Sequence, residues 1–364
     1  MRNRKAMTNI VIVGGGYVGF EVAKALDEHA HVTLIEQREA FVQPPAAIRA
    51  LLDPSLLDQI ILTYDNLLKN GRVVRGRASA VTETEVTLED GTAYPADYIV
   101  LATGSSYAAP FKPSGDSIEA FCTASRDTSA QITSAKSIAI VGAGAVGSEL
   151  AGEIAAALPG KEITLISSDE TLFPMYPRKF GADLKRKLER LGVSVVLGQR
   201  AQDLQHLDQP YAGSVTLSDG RVVTADLVFP VIGSKPSTTL VQSLPDVTIT
   251  SSGRVKTDNW LRPSSYPNVF VAGDIADTGD GMTIVAISRQ NPWLIKMLRQ
   301  VMKGKSVETQ KTYAPWKMAP ILVPLGPKIG NSWLFATLGD WVTRKMKGKD
   351  LFIPKYRKAF GLPR

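Results

Sequence analysis

Glycines with the spacing Gly-x-Gly-x-x-Gly occur twice in the chain, each time directly after a short run of isoleucine and valine. The first glycine of such a set permits a tight turn, the second lets a pyrophosphate approach the backbone, and the third lets a helix pack closely on a strand. Free N–H groups at the start of the following helix favour phosphate at the same place. The sets predict two dinucleotide-binding sites, which contain Gly14, Gly15, Gly16 and Gly19 in one case and Gly142, Gly144 and Gly147 in the other.

The residue that ends the second strand of each unit distinguishes the two sites. In the first unit this residue is Glu36, 22 residues after Gly14, where a carboxylate accepts hydrogen bonds from an adenosine ribose. In the second unit the corresponding residue is Ser167, which carries no charge to repel a 2′-phosphate. The sequence therefore leaves both NADH and NADPH open for the second site.

Short strands and helices must position these glycines. The runs Asn9–Val13 and Ser137–Val141 are too short for helices and too apolar for exposed strands, which is typical of buried parallel strands. The pattern predicts helices over residues 20–28 and 148–157, and second strands over residues 31–36 and 162–167. The fold class predicted is α/β, with two Rossmann-like dinucleotide-binding domains.

Composition excludes several classes of protein. The chain has 364 residues, of which 44% are hydrophobic and 21% charged, as in soluble proteins of two or three domains. Its one cysteine, Cys122, excludes an intramolecular disulfide, and three histidines argue against a histidine-based metal centre, so no metal is expected. With neither a secretory signal nor an apolar run of about 18 residues, a reducing, cytoplasmic setting is expected.

The positive charge is concentrated at the C-terminal end. Residues 294–364 contain 15 Lys and Arg against 3 Asp and Glu, whereas the rest contains 27 against 32. Apolar segments at residues 319–325 and 333–342 run into a basic cluster at 344–349, which favours docking on the plane of an anionic membrane. The alternatives are a solvated basic face, or aromatic residues that pack on the body of the protein or at a homodimer contact.

Three further motifs connect the two units to a known group. They are Ala102-Thr103-Gly104, Val231-Ile232-Gly233 and Gly273-Asp274, each at the end of an apolar strand. Together with the glycine sets, they resemble the flavoprotein pyridine-nucleotide-disulfide oxidoreductase fold over residues 9–290. The resemblance implies FAD in the first unit and NAD(P)H in the second.

The same resemblance assigns individual residues to the cofactors. It implies that Ala102, Thr103 and Gly104 pack near FAD, and that Asp274 binds the ribityl or phosphate portion of FAD, although an aspartate there is also typical of a helix N-cap. Gly233 belongs to the equivalent crossover of the NAD(P)H-binding domain. The resemblance further assigns Arg49 and Val81 to cofactor binding.

The subgroup follows from what the chain lacks and from its tail. Neither the first helix nor residues 37–45 contain cysteine. Cys122 is interpreted as a buried or incidental thiol in the linker that leads to the second unit. Without a redox-active protein thiol, the flavin must pass electrons directly to an outside acceptor. Residues 41–49, 315–330 and 346–352 resemble the apoptosis-inducing-factor-like, mitochondrion-associated oxidoreductases, the family of ferroptosis suppressor protein, to which type II NADH dehydrogenases are distant kin. The resemblance implies an NAD(P)H:quinone oxidoreductase at a membrane face.

Because the chain begins Met1-Arg2 rather than Met-Gly, attachment to the membrane is expected through the tail instead of a myristoyl group.

Two residues are candidates for catalysis by this resemblance. Glu149 matches a glutamate that lies where nicotinamide meets flavin; its other interpretation is a first-turn acid favoured by the helix dipole. Lys347 matches a tail lysine linked to activity, and its other interpretation is simple solvation.

The predicted domains are 1–110 and 253–300 for FAD, 111–252 for NAD(P)H, and 301–364 as a small basic α+β module facing membrane and quinone. Other functions left open are reduction of a small iron–sulfur protein, and NAD(P)H sensing by a nucleic-acid-binding protein, although no nucleic acid is expected.

Overall fold

A computed structural model describes residues 7–363 of the chain. Its strands, numbered along the chain, are β1 Asn9–Val13, β2 His31–Glu36, β3 Ala40–Val42, β4 Ile61–Thr63, β5 Arg72–Arg75, β6 Ala78–Val81, β7 Glu85–Leu88, β8 Ala93–Pro95, β9 Tyr98–Leu101, β10 Ser105–Ser106, β11 Ser137–Val141, β12 Glu162–Ile166, β13 Val193–Val196, β14 Ala201–Gln202, β15 Tyr211–Leu217, β16 Val222–Pro230, β17 Lys235–Pro236, β18 Val255–Lys256, β19 Val269–Val271, β20 Ala276–Asp277, β21 Ile321–Pro324, β22 Gly330–Trp333 and β23 Thr337–Leu338.

The α-helices are interspersed with these strands. They are α1 Tyr17–Leu26, α2 Pro44–Ala50, α3 Leu57–Ile60, α4 Ile118–Ser134, α5 Ala145–Ala157, α6 Arg178–Arg190, α7 Ile284–Val301, α8 Asp340–Thr343 and α9 Ile353–Ala359. A π-helical turn over Arg344–Gly348 follows α8, and short 3₁₀ helices lie at Pro54–Leu56, Leu240–Ser243, Gly273–Ile275 and Val307–Thr309. No helix in the described part of the chain has the length and apolar character needed to cross a bilayer.

The chain divides into two compact units, each assembled from separate stretches of sequence. The first contains the residues up to Phe41 together with Thr63–Ser106 and Lys235–Ala319. The second contains Val42–Leu62, Tyr107–Ser234 and the residues from Pro320 onwards. Residues 42–62 and 320–364 thus group with the second dinucleotide fold, and the unit boundaries differ there from the predicted domain boundaries.

The first unit is built on a five-stranded parallel sheet in the order β19-β9-β1-β2-β5. Strand β1 lies between β2 and β9, so the order of the strands reverses at β1. Such a reversal of strand order creates a crevice at the carboxyl ends of the strands. A buried cluster of valine, isoleucine and leucine packs against this sheet and against the β6-β7-β8 antiparallel sheet.

The second unit repeats the arrangement around β11. Its sheet has the order β13-β12-β11-β16-β15-β14, with β11 parallel to both β12 and β16. The C-terminal residues add a three-stranded antiparallel sheet, β21-β22-β23, and the short helices α8 and α9. The predicted α/β fold class with two Rossmann-like folds and an α+β C-terminal part is confirmed.

Both helices that follow the glycine sets begin three residues earlier than predicted. They start at Tyr17 and Ala145, so that the third glycine of each set lies inside the first turn. A Cβ atom on Gly19 would lie 1.7 Å from Gly14 O, which shows how closely this turn packs on the glycine loop. The predicted starts were wrong because the apolar helical pattern becomes visible only beyond the glycines.

Candidate active site

The first glycine loop has the shape that a pyrophosphate requires. Gly14 has φ +102°, and a Cβ atom there would lie 2.3 Å from Ala102 O, so only glycine fits the turn. Gly16 is the N-cap of α1, carries no side-chain cap, and has no atom within 4 Å of the place of a Cβ. An uncapped helix N-terminus beside open space fits the pyrophosphate of FAD.

Glu36 lies beside this loop, at the carboxyl end of β2. Its Oε2 accepts a hydrogen bond of 2.6 Å from Gly15 N, and its Oε1 accepts one of 3.0 Å from Arg38 N. Tyr64, which the sequence analysis missed, donates from its hydroxyl to Gly15 O at 3.0 Å, and burial raises its pKa well above the ordinary value. No sequence motif marks Tyr64, because it is 49 residues away from its partner.

The two remaining flavin motifs meet in the first unit. Thr103 donates from Oγ1 to Ser237 O at 2.6 Å, and Ser105 donates from Oγ to Asp274 Oδ2 at 2.5 Å. The cap of the 3₁₀ helix Gly273–Ile275 is Ala272, so Asp274 does not serve as the N-cap considered from the sequence. The Asp274 carboxylate is instead held beside the Ala102-Thr103-Gly104 crossover.

The second glycine loop repeats the geometry of the first. Gly142 has φ +111°, with its hypothetical Cβ 2.3 Å from Val231 O, in the strand-end loop that also contains Gly233. Gly144, the N-cap of α5, again faces open space and has no side-chain cap. This loop therefore fits the pyrophosphate of NAD(P)H.

The strand register makes Ser167 the counterpart of Glu36. Val13 pairs with Ile35 in the first unit and Val141 pairs with Ile166 in the second, so both residues directly follow the last register pair. Ser167 is buried, and its Oγ accepts a hydrogen bond of 3.2 Å from Asp169 N. The second site thus lacks a carboxylate at the position where the first site has one.

Arg49 and Val81 occupy different surroundings. Arg49 binds the Glu153 carboxylate in a bidentate manner, since Nη2 donates to Oε1 at 2.6 Å and Nε donates to Oε2 at 3.1 Å. Val81 ends β6 in the apolar core of the first unit, so any polar contact it makes must come from its backbone. Their assignment to cofactor binding stays a prediction.

A nearly buried ion pair joins the two predicted catalytic residues. Lys347 Nζ donates to Glu149 Oε1 at 2.5 Å and to Leu322 O at 3.3 Å. The side chains of Lys347 and Glu149 are 11% and 5% exposed. Burial raises the pKa of the Glu149 carboxyl, and the Lys347 ammonium opposes that rise.

This geometry excludes the alternative interpretations of both residues. Glu149 is the fifth residue of α5 and lies outside the first turn, so the helix dipole does not account for it. Lys347 is not a solvated surface lysine.

Close packing of α5 on the C-terminal sheet brings the pair together. A Cβ atom on Gly152 would lie 2.5 Å from Leu325 Cα, so the absence of a side chain lets the helix approach the strand that precedes Leu325. Glu153 follows Glu149 by one helical turn and accepts the Arg49 guanidinium. Two carboxylates of α5 are thus each paired with a cation from another part of the second unit.

The family follows from comparison with known proteins. A profile of the pyridine nucleotide-disulphide oxidoreductase family matches residues 56–291, and a second profile with the same description matches residues 9–91. The chain belongs to this family. Members of the family use FAD and NAD(P)H, and the open space at the two glycine loops fits the pyrophosphates of these cofactors.

Curated relatives match the oxidoreductase over nearly its whole length. Apoptosis-inducing factor homolog B of Dictyostelium discoideum is 32% identical, with 98% of this chain and 97% of the relative covered. Ferroptosis suppressor protein 1 of Mus musculus is 29% identical, with 95% and 94% covered. The predicted resemblance to this group is confirmed.

Solved structures confirm the fold. A ferredoxin reductase of Rhodopseudomonas palustris has a TM-score of 0.64 at 19% identity, with 85% of this chain and 78% of that chain covered. Reduced CoADR-RHD of Bacillus anthracis has a TM-score of 0.69 at 17% identity, with 99% and 64% covered.

Proposed function

We propose that this oxidoreductase is an FAD-dependent NAD(P)H:quinone oxidoreductase that works without a redox-active disulfide. Its one cysteine, Cys122, lies in α4 rather than in the predicted linker, and burial raises the pKa of its thiol. A raised pKa disfavours the reactive thiolate. Electrons therefore pass from the bound flavin to an acceptor outside the protein.

The observation that carries the proposal is the Glu149–Lys347 pair. A quinone takes up two electrons and two protons on becoming a hydroquinone, whereas an iron–sulfur cluster takes up an electron and needs no proton. A desolvated acid 2.5 Å from an ammonium is suited to hold and pass on a proton, which favours quinone as acceptor. Likeness in fold to a ferredoxin reductase does not distinguish the two.

The overall reaction is NAD(P)H + H⁺ + quinone → NAD(P)⁺ + hydroquinone. FAD, when bound, would supply the chemistry of accepting a hydride and passing on its two electrons together with its proton, which is one of the two protons that the quinone takes up. Lys347 holds a proton at Nζ and donates it to an oxygen of the reduced quinone. Glu149, whose pKa is raised by burial, takes up the replacing proton and returns it to Lys347.

The experiment that tests this function is a steady-state assay of purified protein with NADH and NADPH against a short-chain quinone and against ferredoxin. Glu149→Gln and Lys347→Met are expected to lose quinone turnover while flavin is still reduced by NAD(P)H. Efficient ferredoxin reduction by both variants, without quinone turnover in the parent, would refute the proposal and favour an iron–sulfur partner.

We also propose that the C-terminal part docks on an anionic membrane at the cytoplasmic face. Phe335, in the β22–β23 loop, is 91% exposed, and Trp341 is 72% exposed with Lys345 Nζ 5.2 Å from its ring centroid. Exposed aromatic residues beside cations suit the surface of an anionic bilayer. By contrast, Trp333, Ile321, Val323 and Leu325 pack in the apolar core of the second unit, so only part of the predicted apolar tail is available for docking.

Vesicle binding tests the docking surface. Changing Arg344, Lys345 and Lys349 to Gln is expected to abolish binding to phosphatidylcholine vesicles that contain about 30% phosphatidylserine, because each basic residue near such a surface contributes about 1 kcal/mol. Changing the exposed Arg200, Lys235 and Lys256 to Gln is the charge-matched control. Unchanged binding would refute docking, and dissociation of a dimer by the first variant would identify the surface as a homodimer contact.

A further inference from the structure

A strained turn follows Lys347 in the C-terminal part of the second unit. Leu351 has φ +51° and Phe352 has φ +64°, so two consecutive residues with side chains adopt the left-handed conformation. Such residues persist only where the surrounding structure holds them, and they cluster at functional sites. The turn bears directly on Lys347, because Leu351 N donates a hydrogen bond of 2.8 Å to Lys347 O.

Gln43 provides a side-chain contact that holds this turn. Its side chain is fully buried, and its Nε2 donates to Leu351 O at 2.5 Å. The Gln43 backbone is itself fixed, since its N–H donates to Ile60 O and its carbonyl accepts from Ala46 and Ala47 at the start of α2. A rigidly placed amide therefore contacts the carbonyl of the first left-handed residue.

The carbonyl oxygen Oε1 of the Gln43 side chain lowers the stability of the fold, because it is buried without a hydrogen-bond donor in the described part of the chain. An apolar side chain of similar volume would avoid this unmet acceptor, so packing alone does not explain a glutamine here.

The other end of α2 reaches the same turn. Arg49 Nη1 lies 3.5 Å from Lys349 O, while the rest of its guanidinium binds Glu153. Helix α2 thus contacts Leu351 through its N-cap and Lys349, directly before the turn, through its last helical turn, and α5 provides the partner of Lys347.

We propose that Gln43 is a positioning residue of the active site. It holds the left-handed turn at residues 350–352 and thereby keeps the Lys347 ammonium in its ion pair with Glu149. The effect on turnover rests on the proposed function. The effect on the turn does not, because it follows from the hydrogen bond between Gln43 and Leu351.

The test uses Gln43→Met in the full-length, FAD-loaded protein. Methionine keeps the volume and removes both amide functions. Gln59→Met, at an exposed glutamine, is the matched control, and Gln43→His is the rescue variant because its ring retains an N–H donor. Amide hydrogen exchange is measured over residues 344–356 and, for reference, over residues 145–157.

We expect Gln43→Met to accelerate exchange of the Leu351 amide by about tenfold or more, with exchange in α5 unchanged. The kcat of quinone turnover should fall by about tenfold and its pH profile should shift, because the Lys347 ammonium no longer forms its ion pair with Glu149. Gln43→His should restore both readouts, and Gln59→Met should change neither.

Unchanged exchange in Gln43→Met would overturn the proposal. The proposal would also be overturned if Gln43→Met accelerates exchange of the Leu351 amide but keeps the kcat and pH profile of the parent for quinone turnover, while Lys347→Met abolishes that turnover. Absence of quinone turnover in the parent would refute the proposed function instead, and exchange alone would then decide whether Gln43 holds the turn.

Discussion

Replacing Lys347 with methionine removes the ammonium that lies 2.5 Å from Glu149 Oε1 while keeping most of the side-chain volume. Breaking a buried ion pair by removing one partner costs about 3–5 kcal/mol, because the other charge is left unpaired. Here Glu149 limits the cost by taking up a proton. Relative to an unfolded carboxyl with a pKa of about 4.3, this uptake costs about 4 kcal/mol at pH 7 and about 2 kcal/mol at pH 5.5.

The sign of the pH dependence follows from the direction of the pKa shift. Burial already raises the pKa of Glu149 and Lys347 opposes that rise, so the variant has a still higher folded-state pKa. In the variant the folded state then binds more protons than the unfolded state between these two pKa values. Relative to the parent, the variant is therefore most stable below the folded-state pKa that Glu149 has in the parent, and this relative stability is lost as the pH rises above that pKa.

Urea unfolding at pH 5.5 and pH 7 measures this difference. Lys345→Met is the control, because Lys345 is an exposed lysine of the π-helical turn that also contains Lys347. It should change the free energy of unfolding by less than about 0.5 kcal/mol. The double variant with Glu149→Gln should recover most of the loss, because no charge is left without a partner. A loss that is equal at both pH values, or no larger than that of the control, would refute the buried pair.

Three further predictions concern the cofactor loops. Glu36→Arg should weaken FAD binding by about tenfold or more, since it removes the acceptor of Gly15 N, while Glu28→Arg at an exposed site should not; equal FAD affinity of the two variants would contradict this. Gly144→Val should leave folding and FAD intact, because its Cβ faces open space, yet it should abolish flavin reduction by NAD(P)H; joint loss of both cofactors would indicate misfolding. Ser167→Asp should favour NADH over NADPH by about tenfold in kcat/KM, and an unchanged ratio would show that this residue does not face the ribose.

The cofactor loops were predictable because their signals are local. Each loop depends on glycines within six residues, and the strand on either side is a short apolar run. The distance from the first glycine to the strand end is 22 residues for Glu36 and 25 for Ser167, because α1 has 10 residues and α5 has 13. Register, rather than this count, makes the two residues equivalent.

The arrangement around Lys347 was not predictable from the sequence. Resemblance identified Glu149 and Lys347 as separate candidates, but their pairing spans 198 residues and depends on α5 packing against the C-terminal sheet. Arg49 and Glu153 are 104 residues apart, and Gln43 and Leu351 are 308 apart. No local pattern distinguishes these residues from surface polar residues, and only the fold shows that they are buried.

The charges around α5 also bear on why the site is retained. A buried ion pair is often no more stabilising than an apolar pair of similar volume, because desolvation offsets most of the attraction. Two such pairs, Lys347 with Glu149 and Arg49 with Glu153, are therefore poorly explained by stability. If Glu149→Gln combined with Lys347→Met folds as stably as the parent but does not turn over quinone, the pair is kept for its proton and not for the fold. A stable and fully active double variant would instead remove the main reason for assigning proton transfer to these residues.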